Sequence, residues 1–187
     1  LWANLPSSLK LTAPRYQEVK SGEIPVVTDD DGTEARIVSG NFWGTKGPVD
    51  GIAASPVYLD VWVPPNKRKT LPVETTSQAF AYVFAGSGKF SNASSPLPVA
   101  TERVGKGGVS APAAYMQASD RSLVLFDSGD EVTVQAGEEG IRFLLVSGRP
   151  IQEPVAWYGP IVMNTQQELR EAFEELEKGT FLKSRGK

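Results

Sequence analysis

Hydrophobic and polar residues alternate along most of this 187-residue chain with the two-residue period of β-strands. In "PVYLDVWV" (56–63), Val57, Leu59, Val61 and Val63 fall on one face and Tyr58, Asp60 and Trp62 on the other. In "QAFAYVFAG" (78–86), Phe80, Tyr82 and Phe84 share a face, with Ala79, Ala81 and Val83 opposite. Apolar residues on both faces predict strands that are covered on both sides. "EIPVVT" (23–28), "EARIVSG" (34–40), "SLVLFDSG" (122–129), "DEVTVQAG" (130–137) and "GIRFLLVSG" (140–148) read as further strands. Turn chemistry separates them. The acids and glycine of "DDDG" (29–32) suit a turn, and "GEEG" (137–140) reads as a hairpin loop. About eight strands at this spacing predict a mainly β fold, a sandwich or barrel.

The period changes near the C-terminus. Leu169, Ala172, Phe173 and Leu176 recur at helical spacing. Thr165 and Glu168 have the spacing of a capping box, and Gly179 is a natural stop, so one amphipathic helix is predicted over about 165–178. Between the last strand and this helix lies "GRPIQEPVAWYGPIVMNT" (148–165), which shows neither period; its three prolines predict an extended crossing segment. Residues 1–22 are a proline-punctuated arm. The expected organisation is therefore an arm (1–22), a barrel (23–148) and a crossing segment with its helix (149–187). The Ser-, Gly-, Pro- and Ala-rich stretch 87–112 is expected to be a mobile loop.

Composition acts mainly by exclusion. The chain has no His and no Cys. That removes every Ser-His-Asp and Cys-His arrangement, His-based zinc sites and the two-His-one-carboxylate iron site. No catalytic residue and no metal ligand is assigned in this chain. The run Asp29-Asp30-Asp31 is the obvious oxygen-only cation candidate, but it does not match EF-hand spacing and is read as a solvated turn. "AGSGKF" (85–90) lacks the spacing of a phosphate-binding loop and reads as a tight strand turn. "GKGG" (105–108) reads as a loop, and Asn92-Ala93-Ser94 fits the glycosylation acceptor pattern. A net charge of −3 gives no electrostatic case for nucleic acid or an anionic membrane. No apolar run reaches the roughly 20 residues of a spanning helix, and no signal peptide is visible, so an intracellular location, cytoplasmic or nuclear, is expected. Asp60, Phe80, Tyr82, Phe84 and Glu153 form a candidate pocket set. Phe42-Trp43, in a glycine-flanked loop, is a conspicuous aromatic pair whose expected role is packing.

In order along the chain, these segments resemble the pirin family. "LWANLPSSLKLTAPRYQ" (1–17), "ARIVSG", "PVYLDVWVPP", "FAYVFAGSG", "LVLFDSGDEVTV" and "IRFLLVSGRPIQEPVAWYGPIVMNTQQEL" carry the likeness. The last block, with Glu153-Pro154, Gly159-Pro160 and Val162-Met163-Asn164-Thr165, is its most specific part. The resemblance implies two cupin barrels packed face to face, of which this chain is the linker plus the C-terminal barrel, a jelly-roll with one C-terminal helix. It implies Fe(II) held by histidines and a glutamate in an N-terminal barrel, with no cofactor in this one. The implied partner is that N-terminal half, in the same protein or a separate chain, besides other proteins. Trp2, Asn4, Leu5, Pro6, Tyr16, Gln17, Trp157, Tyr158 and Asn164 are the candidate contacts, with Leu9, Leu11 and Ile161 as further apolar seam residues. Three functions follow from the resemblance and the residues together. The whole protein is a non-haem iron dioxygenase of the quercetinase type, or a transcription coregulator, or the chain is a stand-alone binding barrel.

Overall fold

The computed structural model describes residues 1–51, 53, 55–91, 93, 97–98 and 117–182. It divides into two compact units, Val19–Arg149 and a second made of Leu1–Glu18 with Pro150–Lys187.

The larger unit is an antiparallel β fold. Its strands are β1 (Val26–Thr28), β2 (Glu34–Ser39), β3 (Asn41–Phe42), β4 (Thr45–Lys46), β5 (Val57–Val63), β6 (Arg68–Pro72), β7 (Gln78–Phe90), β8 (Leu97–Pro98), β9 (Ala118–Ser119), β10 (Ser122–Leu125) and β11 (Glu131–Gly148). Neighbours run in the order β1-β2-β5-β11-β7-β10-β8, with β6 also on β11 and β9 also on β7. The two long strands each serve both leaves of the sandwich. The first part of β11 pairs with β6 and with the end of β7, and the second part pairs with β5 and with the start of β7.

Two expectations fail at the bend. "GEEG" is no hairpin loop and "AGSGKF" no turn, since each lies inside a continuous strand. Ala136 pairs with Gly88 and Ile141 with Gly86, so Gly137–Gly140 bulge out opposite Ser87 alone. The bulge bends both strands. Its glycines are required: Gly86 and Gly140 have φ of 68° and 76°. A bulge and a hairpin use the same residues, and only the long-range pairing distinguishes them.

The alternating pattern fixes the core. Leu59, Val61 and Val63 of β5, Ala81 and Val83 of β7, and Ile141, Phe143 and Leu145 of β11 are all buried. Phe143 packs edge-on to Phe90, which meets Phe126. The alternate residues of these strands stay half-buried on the outer face, and include Tyr58, Trp62, Phe80, Tyr82, Phe84 and Leu144.

The smaller unit has its own core of Ala156, Ile161, Met163, Leu169 and Ala172. Ile161 is thereby buried, where exposure at a seam was expected. The crossing segment also contains a hairpin that its prolines had hidden, β12 (Ala156–Tyr158) and β13 (Ile161–Met163). Gly159 at φ 55° followed by Pro160 supplies the two-residue turn. The helix α1 spans Gln166–Glu177, and the predicted box is formed: Thr165 Oγ1 accepts from the Glu168 N–H, and Glu168 accepts from the Thr165 N–H. At the other end Thr180 N–H reaches the Glu175 carbonyl and Gly179 N–H the Leu176 carbonyl, a Schellman closure. Leu176 is exposed rather than part of the buried face. Thr165→Ala is expected to cost about 1 kcal/mol, read as a lower urea midpoint of the helical circular dichroism signal; an unchanged midpoint would show the cap to be inert. Among the described residues no helix is long and apolar enough to cross a membrane.

Of the mobile loop expected over 87–112, residues 87–90 close β7. Most of the remainder, with "GKGG" and with Asn92 and Ser94 of the glycosylation pattern, lies outside the described residues.

Candidate functional site

The candidate residues fall into separate settings. In the larger unit, Asp60 on β5 accepts a bidentate pair from Arg142 on β11, Nε to Oδ1 at 2.8 Å and Nη2 to Oδ2 at 2.6 Å. Paired geometry of this kind is the strong form of the arginine–carboxylate interaction. Asp60 first, as hydrogen-bond partner, raises the Arg142 pKa. The Arg142 guanidinium also lies 5.3 Å from the centre of the Phe84 ring. Asp60 and Phe84 are thus joined through Arg142, on the outer face that also carries Phe80 and Tyr82. Asp60 therefore spends its carboxylate on an internal partner.

Glu153 belongs to the smaller unit. Its Oε2 accepts from the Ser7 N–H and from Asn164 Nδ2, both at 2.7 Å, and its Oε1 from Ser7 Oγ at 3.3 Å. It clasps the arm to the crossing segment. Asn4 secures the arm from within, its Oδ1 accepting from Lys10 Nζ at 2.8 Å and from the Leu5 N–H at 2.9 Å. Pro6 precedes the short 3-10 turn Ser7–Leu9. Trp2 and Trp157 meet edge to face at 6.3 Å and remain largely exposed, as do Tyr158, Tyr16, Leu9 and Leu11. Gln17 is exposed and Leu5 half-buried.

The clasp has a pH signature. The Ser7 N–H first, then Asn164, hold the Glu153 carboxyl below its usual range. A depressed folded pKa means that the carboxylate's stabilisation is present above the ordinary carboxylate range and is lost as pH falls through the depressed value. Hydrogen exchange at the Ser7 amide is therefore expected to lose protection below that range, and Glu153→Gln to flatten the pH dependence. Protection that is unchanged in acid would show that another group holds the arm.

Two features carried weaker sequence signals. The acidic run is not a free solvated turn, because Lys69 pairs with Asp29 and also with Asp31 at 3.1 Å. The Lys69 hydrogen bond lowers the Asp29 pKa, while for Asp31 the cost of burial is outweighed by hydrogen bonds from Thr33 and Lys69. The second feature is a cleft of about 240 Å³ bounded by Phe42, Trp43, Val57, Leu59, Val73, Glu74, Leu145 and Ser147. Phe42 lies in the core, and Trp43, at the tip of the β3–β4 hairpin, packs against it half-buried, as expected of the pair. Nothing in the local sequence joins these residues, which come from four separate segments.

An iron centre does not fit this chain. It offers no His or Cys, and among the described residues no group of three or more carboxylates could hold a metal.

Residues 58–182 match the Pirin C-terminal cupin domain. A pirin-like protein of Caulobacter vibrioides is 36% identical over 182 residues, covering 97% of this chain and 57% of that protein. Pirin-1 of Arabidopsis thaliana is 34% identical over 178 residues, covering 94% of this chain and 54% of that protein. Among solved structures, quercetin 2,3-dioxygenase from Acinetobacter baumannii superposes with a TM-score of 0.76 at 26% identity, covering 96% of this chain and 55% of that chain. The chain therefore spans little more than half the length of these relatives. Its cupin fold, with the long bent strands and one C-terminal helix, and these matches together place the chain in the pirin family, as its C-terminal cupin domain.

Proposed function

We propose that this chain is the docking half of a pirin-like protein whose whole form is a metal-dependent dioxygenase of the quercetinase type. In this reading an N-terminal cupin half holds Fe(II) and substrate, and the present barrel supports it. The observation that carries the proposal is the outer face of the larger unit. Tyr58, Trp62, Phe80, Tyr82, Phe84 and Leu144 are half-buried there, around the fixed Asp60–Arg142 pair. A cluster of half-buried aromatic and apolar side chains on one face is a surface suited to association. The aromatic–arginine composition is that of interface centres. The solved relative that carries the name quercetin 2,3-dioxygenase, and the share of each relative left unmatched, support a second half.

The test pairs this chain with a co-expressed N-terminal half. Association is expected by sedimentation, with quercetin-dependent oxygen uptake by the complex alone. Trp62→Glu with Phe84→Lys is expected to separate the halves while each stays folded. Stoichiometric iron and activity in the isolated chain, or a monomer indifferent to the N-terminal half, would overturn the proposal. A complex that forms but consumes no oxygen would move the reading to the coregulator.

A further inference from the structure

The cleft beside the β3–β4 hairpin is not part of that docking face, and its construction is unusual. The hairpin closes through Trp43 and Gly44, with φ of 45° and 78°. A two-residue turn with both φ positive is the type I′ geometry, which favours Asn or Gly at the first position. A tryptophan held there is strained, and such strain persists where the surroundings enforce it. Here they do. The Phe42 ring lies 4.6 Å from the Trp43 ring at a tilt of 36°, and Lys69 Nζ sits over the Trp43 ring, 5.2 Å from its centre. Lys69 is itself tied to Asp29 and Asp31. The indole is thus fixed before any ligand arrives, which removes an ordering cost from binding.

The rest of the cleft has two kinds of lining. Val57 and Val73 are its half-buried apolar sides, and the buried Leu59, Leu145 and Phe42 of the barrel core lie beneath them. Glu74 and Ser147 are the polar groups. Among the described residues Glu74 makes no ion pair, so its carboxylate is available as an acceptor at the rim. An apolar cleft with a few convergent polar groups is the ordinary form of a small-molecule site. A cavity of roughly 150 Å³ accommodates benzene, so 240 Å³ takes one or two fused rings.

We infer that this cleft binds a small planar aromatic of one or two rings that carries a hydrogen-bond donor, lodged beside the fixed Trp43 indole with the donor toward Glu74. The site is independent of iron and of the docking face, so its test does not depend on either.

Amide NMR of the full chain titrated with indole, and with indene as the same shape without the N–H, reads the site directly. Saturable shifts are expected at Trp43, Val73, Leu145 and Ser147, with a dissociation constant of about a millimolar. Indene is expected to bind several-fold more weakly, and Glu74→Gln to reduce that preference. Trp43→Gly puts in the residue the turn favours and is expected to keep the fold while weakening indole about tenfold or more. Val73→Trp, which fills the rim, is expected to block binding without touching the turn. No saturable shift at these amides, equal affinity for indene, or full affinity in both Trp43→Gly and Val73→Trp would overturn the inference.

Discussion

Gly86→Ala is expected to destabilise the larger unit by about 3 kcal/mol or more, from two sources that add at one atom. Gly86 sits at φ 68°, where an L-residue other than glycine is disfavoured by roughly 1–2 kcal/mol. A Cβ there would also overlap the Gly140 carbonyl oxygen and lie 3.0 Å from its carbon. That obstacle is backbone, and it belongs to the facing bulge, so it cannot rotate away. The bulge cannot retreat either, because at Gly140 itself a Cβ would run into the Trp62 ring and stand 2.9 Å from the Val63 carbonyl. Three strands meet at this corner with no room for one methyl group. Urea melts compare Gly86→Ala with Gly129→Ala, where nothing lies within 4 Å. Gly129→Ala is expected to stay within about 0.5 kcal/mol of the parent. Matching midpoints for the two variants would mean that the corner relaxes freely and that the glycines are not what shapes it.

This corner also marks where the sequence stops being legible. The strands were readable wherever one side chain in two had to enter the core, as in Leu59, Val61 and Val63, because burial itself writes that period. The helix was readable because its cap uses groups three residues apart. The bend was not: glycine with positive φ serves a hairpin and a bulge equally well, and the deciding partner of Gly86 lies at Ile141. Candidate site residues fared the same way. Asp60 looks like a pocket carboxylate until Arg142, 82 positions away in sequence, is seen beside it. Glu153 looks like one until Ser7, 146 positions away, is seen to donate to it. The Asp29–Asp31 run reads as solvated because its cation, Lys69, is contributed by another strand. The Trp43 cleft left only a trace, an aromatic pair among glycines, since its other walls come from β5, β11 and the connection after β6.

Phe143→Ala is expected to cost about 3–5 kcal/mol, the largest effect of any single side-chain truncation proposed for this chain. Phe143 is fully buried, and its ring meets Phe90 at 5.2 Å, in a cluster that Phe126 extends. It also stands on the strand that pairs with both β5 and β7, so a cavity there has walls on two strand pairs and collapses poorly. Phe143→Leu keeps much of the volume and should lose markedly less. The neighbouring residue makes the comparison informative. Arg142 points to the outer face and Phe143 to the core, one residue apart on a strand. On the proposed docking reading, truncating Phe143 should therefore lower the urea midpoint while the folded fraction still binds an N-terminal half. Arg142→Met should do the converse, weakening association through the freed Asp60 carboxylate and the lost contact with Phe84 while costing less stability than Phe143→Ala. If both variants lost stability and association in proportion, the outer face would be acting only as a second wall of the core, and the separation of folding from docking along β11 would not hold.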